Sequence, residues 1–222
     1  MHNENFGNRP ALKNELWKLL VNSGTSRTYR PGEYIFKKDQ PSNGVICICK
    51  GVVKISSLSS KGSEKIYGIQ SAPTVIGETE TIDRGLRMVS ASALTEAKIS
   101  VVSREKIQEL IEAHSEIAFF IIRAIGVKLR WTTRQAEDLS SHRIESRVAR
   151  MILDFNKYGV FSKENDDSFL EITHEQLAHF VGAARPKVTY YLNEFEKKGL
   201  IELRRKHIRV INADLLQSYA EE

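Results

Sequence analysis

The stretch Ile172 to Ile201, ITHEQLAHFVGAARPKVTYYLNEFEKKGLI, constrains this chain more than any other part of it. Thr173-His174-Glu175-Gln176 fits a capping box, in which the Thr173 hydroxyl and the Gln176 side chain satisfy amides at a helix start. A helix is therefore expected from His174, burying Leu177 and Phe180 or Val181 and breaking at Gly182 after about two turns. A second helix follows within three residues. Pro186 falls in its first turn, where a missing N–H has no intrahelical partner to lose. Val188, Leu192 and Phe195, spaced four and three apart, face inward. Arg185, Lys187, Thr189, Tyr190 and Asn193 are left to face out. Two short helices joined by a tight turn containing Gly form a helix-turn-helix, whose second helix can lie in a major groove.

The C-terminal residues complete that unit. Lys198-Gly199 ends the helix, Leu200 to Leu203 and Ile208 to Ile211 read as two strands, and Arg204-Arg205-Lys206-His207 makes a cationic turn between them. A basic hairpin tip after such a helix resembles a wing placed against phosphates. The formal charge of the chain is +5, yet residues 142–222 hold 13 Lys and Arg against 13 Asp and Glu. The basic signal is local: from Arg185 to Arg209 eight cations face only Glu194, Glu196 and Glu202.

The N-terminal half has another texture. Leu12, Leu16, Leu19 and Leu20 predict a short helix. From Thr25 to Ser103 the apolar runs are short and rich in Val and Ile: Tyr34 to Phe36, Val45 to Cys49, Val52 to Ile55, Ile66 to Ile69 and Ala97 to Val102. Pro31-Gly32, Gly44, Gly51, Gly62 and Gly85 separate them, which points to an antiparallel barrel or jelly roll. Ser103 or Ser115 can cap a return to helix. Ile117, Phe120, Ala124, Val127 and Trp131 then recur at steps of 3, 4, 3 and 4, a heptad seam expected to meet a twin helix. Ile121, Ile122, Ile125 and Leu129 make a second apolar surface, expected to pack on the β-domain. Ser140-Ser141 interrupts the pattern, and Ile144, Val148, Met151, Ile152 and Phe155 open a new amphipathic helix ending near Gly159. A polar loop, Lys163 to Ser168, leads to the strand Phe169 to Ile172.

Other chemistries find little support. His174 and His179 are five residues apart, about 140° around a helix, so they cannot share a metal as an H-E-x-x-H pair does. No G-x-S-x-G, P-loop or G-x-G-x-x-G occurs, and no enzymatic constellation is expected. Cys47 and Cys49 are too few for a disulfide scaffold or a cysteine-ligated iron–sulfur cluster, and read as small residues on one strand face. Haem is disfavoured because the sensor half offers only His2 and His114 as histidine ligands. The opening MHNENFGNRP has no apolar core of a signal peptide and Arg123 interrupts the most apolar stretch, so a cytoplasmic protein without membrane association is expected.

In this order the elements resemble the catabolite activator and fumarate–nitrate regulator family of bacterial transcription factors, over almost the whole chain. The resemblance implies an α+β protein: a cyclic-nucleotide-binding-type antiparallel β-roll (1–114), a dimerisation helix and hinge (115–141) and a winged helix-turn-helix (142–222). It implies a homodimer held at Ile117, Phe120, Ala124, Val127 and Trp131, binding double-stranded DNA at a palindromic operator. DNA contacts are expected from Thr173, Arg185, Pro186, Lys187, Thr189, Tyr190, Asn193, Arg204, Arg205 and Lys206. Arg185 matches the family's guanine-reading arginine. Ala184, Pro186 and Tyr190 stand where the activator has serine, glutamate and a second arginine, so another operator is expected. In the sensor, Val75 to Glu78 (VIGE) resembles the family's phosphate cassette. Gly77, Glu78, Arg87, Met88, Thr132 and Thr133 are the expected effector residues, although Met88 replaces a hydroxyl and the spacing from Glu78 to Arg87 is one residue short. The effector could be a cyclic nucleotide or another small organic molecule, and a roll with no ligand or a redox input stays open. RNA polymerase is a further implied partner. An alternative function is a cyclic-nucleotide-type sensor module acting through protein partners.

Overall fold

The computed structural model describes residues 11–60, 62–158 and 169–221. The opening decapeptide, the end of the fifth helix near Gly159 and the polar loop Lys163 to Ser168 lie outside the described residues. The chain divides into two compact units: Met1–Ser57 with Tyr67–Trp131, and Leu58–Ile66 with Thr132–Glu222.

The first unit begins with α1 (Asn14–Asn22), followed by β1 (Thr25–Tyr29), β2 (Tyr34–Phe36), β3 (Val45–Lys50), β4 (Val52–Leu58), β5 (Glu64–Ser71) and β6 (Thr74–Ile76). After the short α2 (Glu78–Ile82) come β7 (Ser90–Ala93), β8 (Ala97–Val102), α3 (Arg104–Ala113) and α4 (Ser115–Ser141). Two antiparallel four-stranded sheets form, ordered β1-β8-β3-β6 and β2-β7-β4-β5. The central strand β3 shows why its run is unbroken. Ile46 and Ile48 enter the core cluster shared with Phe36, Val53 and Ala91, while Val45 and Cys47 enter a second cluster with Leu20, Ile117 and Phe120. Buried on both faces, the strand has no reason to alternate polar and apolar residues. Cys47 is buried and Cys49 half-buried, and burial pushes the Cys47 thiol well above the ordinary thiol range.

Three strands escaped sequence reading. β1 is TSRTY, exposed over its first four residues, and its partner holds it: all five residues pair with β8, from Thr25 opposite Val101 to Tyr29 opposite Ala97. β6 (TVI) has three residues, too few to show a period, and β7 (SASA) has four, all of them small. Both serines proposed as caps open helices, Ser103 preceding α3 and accepting from the Lys106 amide, and Ser115 beginning α4.

The second unit contains α5 (Ile144–Tyr158), β9 (Phe169–Glu171), α6 (His174–Val181), α7 (Arg185–Lys197), β10 (Ile201–Arg204), β11 (His207–Val210) and α8 (Ala213–Glu221). Val148, Ile152 and Phe155 of α5, Leu177 and Phe180 of α6, Val188, Leu192 and Phe195 of α7 and Leu216 of α8 are all buried. Phe155 meets Phe180 edge-on at 4.9 Å, and Phe195 meets Tyr219 at 5.4 Å. The strands form one antiparallel sheet ordered β10-β11-β9. The last turns of α4 belong to this unit. Arg134 lies 3.4 Å from Asp154, and Arg150 bonds Asp138 at 2.9 Å. The division between units thus falls inside α4 at Trp131, ten residues before the hinge expected at Ser141.

Candidate nucleic-acid interface and effector pocket

The capping box at the start of α6 is complete: Thr173 Oγ1 accepts from the Gln176 amide at 3.1 Å, and the Thr173 amide donates to Gln176 Oε1 at 2.9 Å. Gly182 ends α6 in the left-handed region, φ 67° and ψ 43°, which only a residue without Cβ adopts at little cost. Ala184 then precedes α7 with extended backbone, and Pro186 sits in the first turn. Since Val188, Leu192 and Phe195 are drawn into the core, the opposite face is forced outward. Arg185, Pro186, Lys187, Tyr190 and Asn193 are exposed, and Thr189 is half-buried. Tyr190 packs edge-on against Tyr191 at 5.2 Å. His174 Nδ1 lies 3.1 Å from Thr189 Oγ1, and burial followed by the charge of Arg185 holds its imidazole below the ordinary range.

In the hairpin of β10 and β11, Arg204 pairs with His207, leaving Arg205 and Lys206 as a two-residue turn with Lys206 at φ 63°. The four-residue cationic turn is not uniform. Glu202 holds Arg204 at 2.8 Å and also pairs with Arg209, whereas Arg205 and Lys206 are exposed and form no ion pair among the described residues. The free charge of the hairpin is concentrated at its two tip residues.

The first unit contains a cassette built around Arg87. Its guanidinium donates to the carbonyls of Gly77 (2.9 Å) and Gly44 (2.8 Å) and to Asn43 Oδ1 (3.1 Å), and it lies over the Phe36 ring at 4.4 Å. Glu80 stands 3.7 Å away. Burial pulls the Arg87 guanidinium down, against the opposing influence of Glu80 and Glu78. Gly77 has φ 69°, and a Cβ there would fall 2.1 Å from Arg87 Nη1. Buried Glu78 receives Lys128 Nζ at 2.6 Å, and the same ammonium donates to the Val75 carbonyl at 2.7 Å. Gly77, Glu78 and Arg87 are therefore brought together as the sequence suggested. Met88 is exposed, contributing only its amide, which donates to Glu80. Thr132 and Thr133 are exposed and belong to the other unit. Glu80 and Lys128 were missed. Lys128 carries a legible signal, as a cation inside the apolar stretch of α4 one turn before Thr132.

The heptad seam is a correction. Ile117, Phe120 and Ala124 lie in the core of their own chain, packed with Leu20, Val45 and Cys47, and Trp17 meets Phe120 edge-on at 6.1 Å. Val127 is half-buried, and Trp131 Nε1 donates to the Tyr67 carbonyl at 2.7 Å. The face left outside is Phe119, Ile122 and Leu129, exposed by 66%, 61% and 65%. With Gly126 between them these residues step by 3, 4 and 3, the same heptad spacing displaced by two residues from the set expected. Both registers have heptad spacing, and α1 with β3 decides which of them is covered.

Among the described residues, no group of three or more His, Cys, Asp or Glu could hold a metal ion, and no helix is long and apolar enough to cross a membrane. Residues 26–114 match the cyclic nucleotide-binding domain family, and residues 146–219 match the Crp-like helix-turn-helix domain family. A β-sheet sensor domain, a long helix and a helix-turn-helix in this order define an effector-controlled, sequence-specific DNA-binding transcription regulator. The chain belongs to the CRP/FNR family. It is 27% identical to a CRP-like cAMP-activated global transcriptional regulator of Mycobacterium tuberculosis over 83% of each chain. It is 28% identical to the cAMP-activated regulator Vfr of Pseudomonas aeruginosa, over 89% of this chain and 93% of that one. Its fold is similar to that of the c-di-GMP responsive regulator CLP of Xanthomonas campestris, with a TM-score of 0.74 at 23% identity over 88% of this chain and 98% of that one. A CRP/FNR family regulator from Thermus thermophilus has a TM-score of 0.75 at 20% identity, over 89% of this chain and 99% of that one.

Proposed function

We propose that the protein acts in the cytoplasm as a homodimer whose two α7 helices enter adjacent major grooves of a palindromic operator, and that a small effector in the Arg87 cassette controls this binding. One observation carries the DNA half of the proposal: burial of Val188, Leu192 and Phe195 leaves Arg185, Lys187, Tyr190 and Asn193 on the open face of α7. Arg185 at the helix start is placed to give two hydrogen bonds to guanine O6 and N7, while Arg205 and Lys206 at the hairpin tip contact phosphate. Thr173, Pro186, Thr189 and Arg204 flank these contacts. The exposed stripe Phe119, Ile122 and Leu129 is the surface offered to the second copy, and half-sites about one helical turn apart follow from a two-fold dimer. RNA polymerase is the further partner through which binding acts on transcription.

For the effector, two buried atoms support a ligand. Glu78 Oε2 and Arg87 Nε have no hydrogen-bond partner among the described residues, an acceptor and a donor suited to a hydroxyl and an anionic oxygen. Relatives named as cAMP-activated and a c-di-GMP responsive structural neighbour favour a cyclic nucleotide or another small organic anion. With Met88 exposed in place of a hydroxyl, the anion rests on Arg87.

The test is to select an operator and then measure alanine variants against it and against versions with each G·C pair replaced. Arg185→Ala should lose about 1 to 3 kcal/mol of discrimination at one position per half-site. Arg205→Ala should keep the sequence profile and lower the salt slope by about one unit. Weak, salt-insensitive DNA binding would instead favour a sensor module working through protein partners.

A further inference from the structure

His174 opens α6 and Thr189 sits in the middle of α7, and the 3.1 Å approach of His174 Nδ1 to Thr189 Oγ1 joins them across the helix-turn-helix. Thr189 is four residues from Arg185 and four from Asn193, so the three stack along one face of α7. It is the half-buried member between two exposed ones. A hydroxyl donates one hydrogen bond and accepts two. What Thr189 can offer a base edge therefore depends on what it already gives to His174.

We propose that His174 is a positioning residue that sets the hydrogen-bonding sense of Thr189, and with it the kind of base edge this position of α7 reads; the inference rests on α7 being the groove-facing helix. A neutral imidazole has one bare nitrogen and one N–H. In the Nε2–H tautomer, the commoner one for a free imidazole, Nδ1 is bare and takes the Thr189 proton. The hydroxyl then shows the groove only lone pairs, which suit the amino groups of adenine N6 or cytosine N4. Protonating His174 places a hydrogen on Nδ1, which donates to Thr189 Oγ1 and frees the hydroxyl proton to turn outward. That arrangement suits guanine O6 and N7 or thymine O4. One proton on His174 thus reverses the preference.

The charge set against the imidazole from α7 is Arg185. Its own first turn adds Glu175 and the positive end of the α6 dipole. Burial and Arg185 both disfavour the imidazolium, so the neutral form is favoured and the reversal needs a pH on the acid side of the ordinary imidazole range.

The experiment is operator selection from a random library with full-length wild type, His174→Ala, His174→Asn, Thr189→Val and Arg185→Ala, at about pH 8 and about pH 5.5. Wild type should prefer A or C at one position per half-site at the higher pH, and shift toward G or T by about two- to tenfold at the lower. Thr189→Val should lose the preference at both pH values, and His174→Ala should lose its pH dependence. His174→Asn, which keeps a polar atom at the δ position but does not titrate, should restore one preference at both. Identical profiles for wild type and Thr189→Val, or a pH response that survives in His174→Ala, would overturn the inference. An operator that Arg185→Ala alters and Thr189→Val does not would overturn the inference alone. A selection in which wild type enriches no operator would overturn the groove reading together with it.

Discussion

Arg87 is proposed to meet an anionic effector and Arg185 a guanine edge, and the surroundings of the two arginines are opposite. Arg87 is fully buried, with three oxygen acceptors, a neighbouring carboxylate and an aromatic ring under its guanidinium. Arg185 is exposed at the first turn of a helix, and its nearest described influence is on His174. The cassette directs most of its polar groups to partners inside the fold, leaving Glu78 Oε2 and Arg87 Nε over, whereas the open face of α7 keeps Arg185, Lys187 and Asn193 exposed. Substituting a residue of the first kind is expected to change stability as well as ligand response, and substituting one of the second kind to change binding alone.

The strongest way to break this contrast is to delete both arginines in turn. Arg87→Ala leaves Glu80 and three oxygen acceptors buried without their cation and should cost about 3 to 5 kcal/mol in urea denaturation. Arg185→Ala should stay within about 0.5 kcal/mol. Equal stabilities would remove the distinction, and the loss of effector response in Arg87→Ala must be judged against this destabilisation.

The two faces of α4 repeat the contrast within one helix. Ile117→Ala removes a fully buried side chain and should cost about 2 to 5 kcal/mol while the dimer persists. Phe119→Glu changes an exposed one, and sedimentation should show folded monomers. A Phe119→Glu variant of unchanged dimer mass would exclude the exposed stripe from the interface.

Two glycines sharpen the comparison at nearly equal backbone angles. Gly77 (φ 69°) faces Arg87 Nη1, whereas a methyl group added at Gly199 (φ 70°) would meet nothing within 4 Å. Gly199→Ala should cost only the left-handed penalty of about 1 to 2 kcal/mol. Gly77→Ala must also displace Arg87, and its thermal midpoint should fall further. A smaller loss than at Gly77 belongs to Thr173→Ala, which loses the α6 cap and should cost about 1 kcal/mol, read as a small drop in the urea midpoint with the operator profile retained.

The helix-turn-helix was legible because everything that defines it is local. A capping box spans four residues, Gly182 marks the turn, and the spacing of Val188, Leu192 and Phe195 places the outward face without knowledge of any other element. The cassette was legible in part. Gly77, Glu78 and Arg87 stand out as a motif, but Lys128 arrives from 50 residues away, and Glu80 gains its meaning from a turn in the chain. β1 was invisible because TSRTY has no pattern of its own and is a strand through pairing with β8.

The sequence alone determined the elements whose hydrogen bonds and apolar spacing close within a few residues: the capped α6, the helix α7 that follows it and the cationic hairpin after that, of which the structure narrowed the turn from four residues to two. Tertiary structure decided which side of α4 is inside. That helix has apolar residues in two heptad registers, and helical periodicity is indifferent between them. The choice fell to Trp17, Leu20 and Cys47, whose packing covers Ile117 and Phe120 and leaves Phe119, Ile122 and Leu129 exposed, because burial is a property of neighbours that local spacing does not contain.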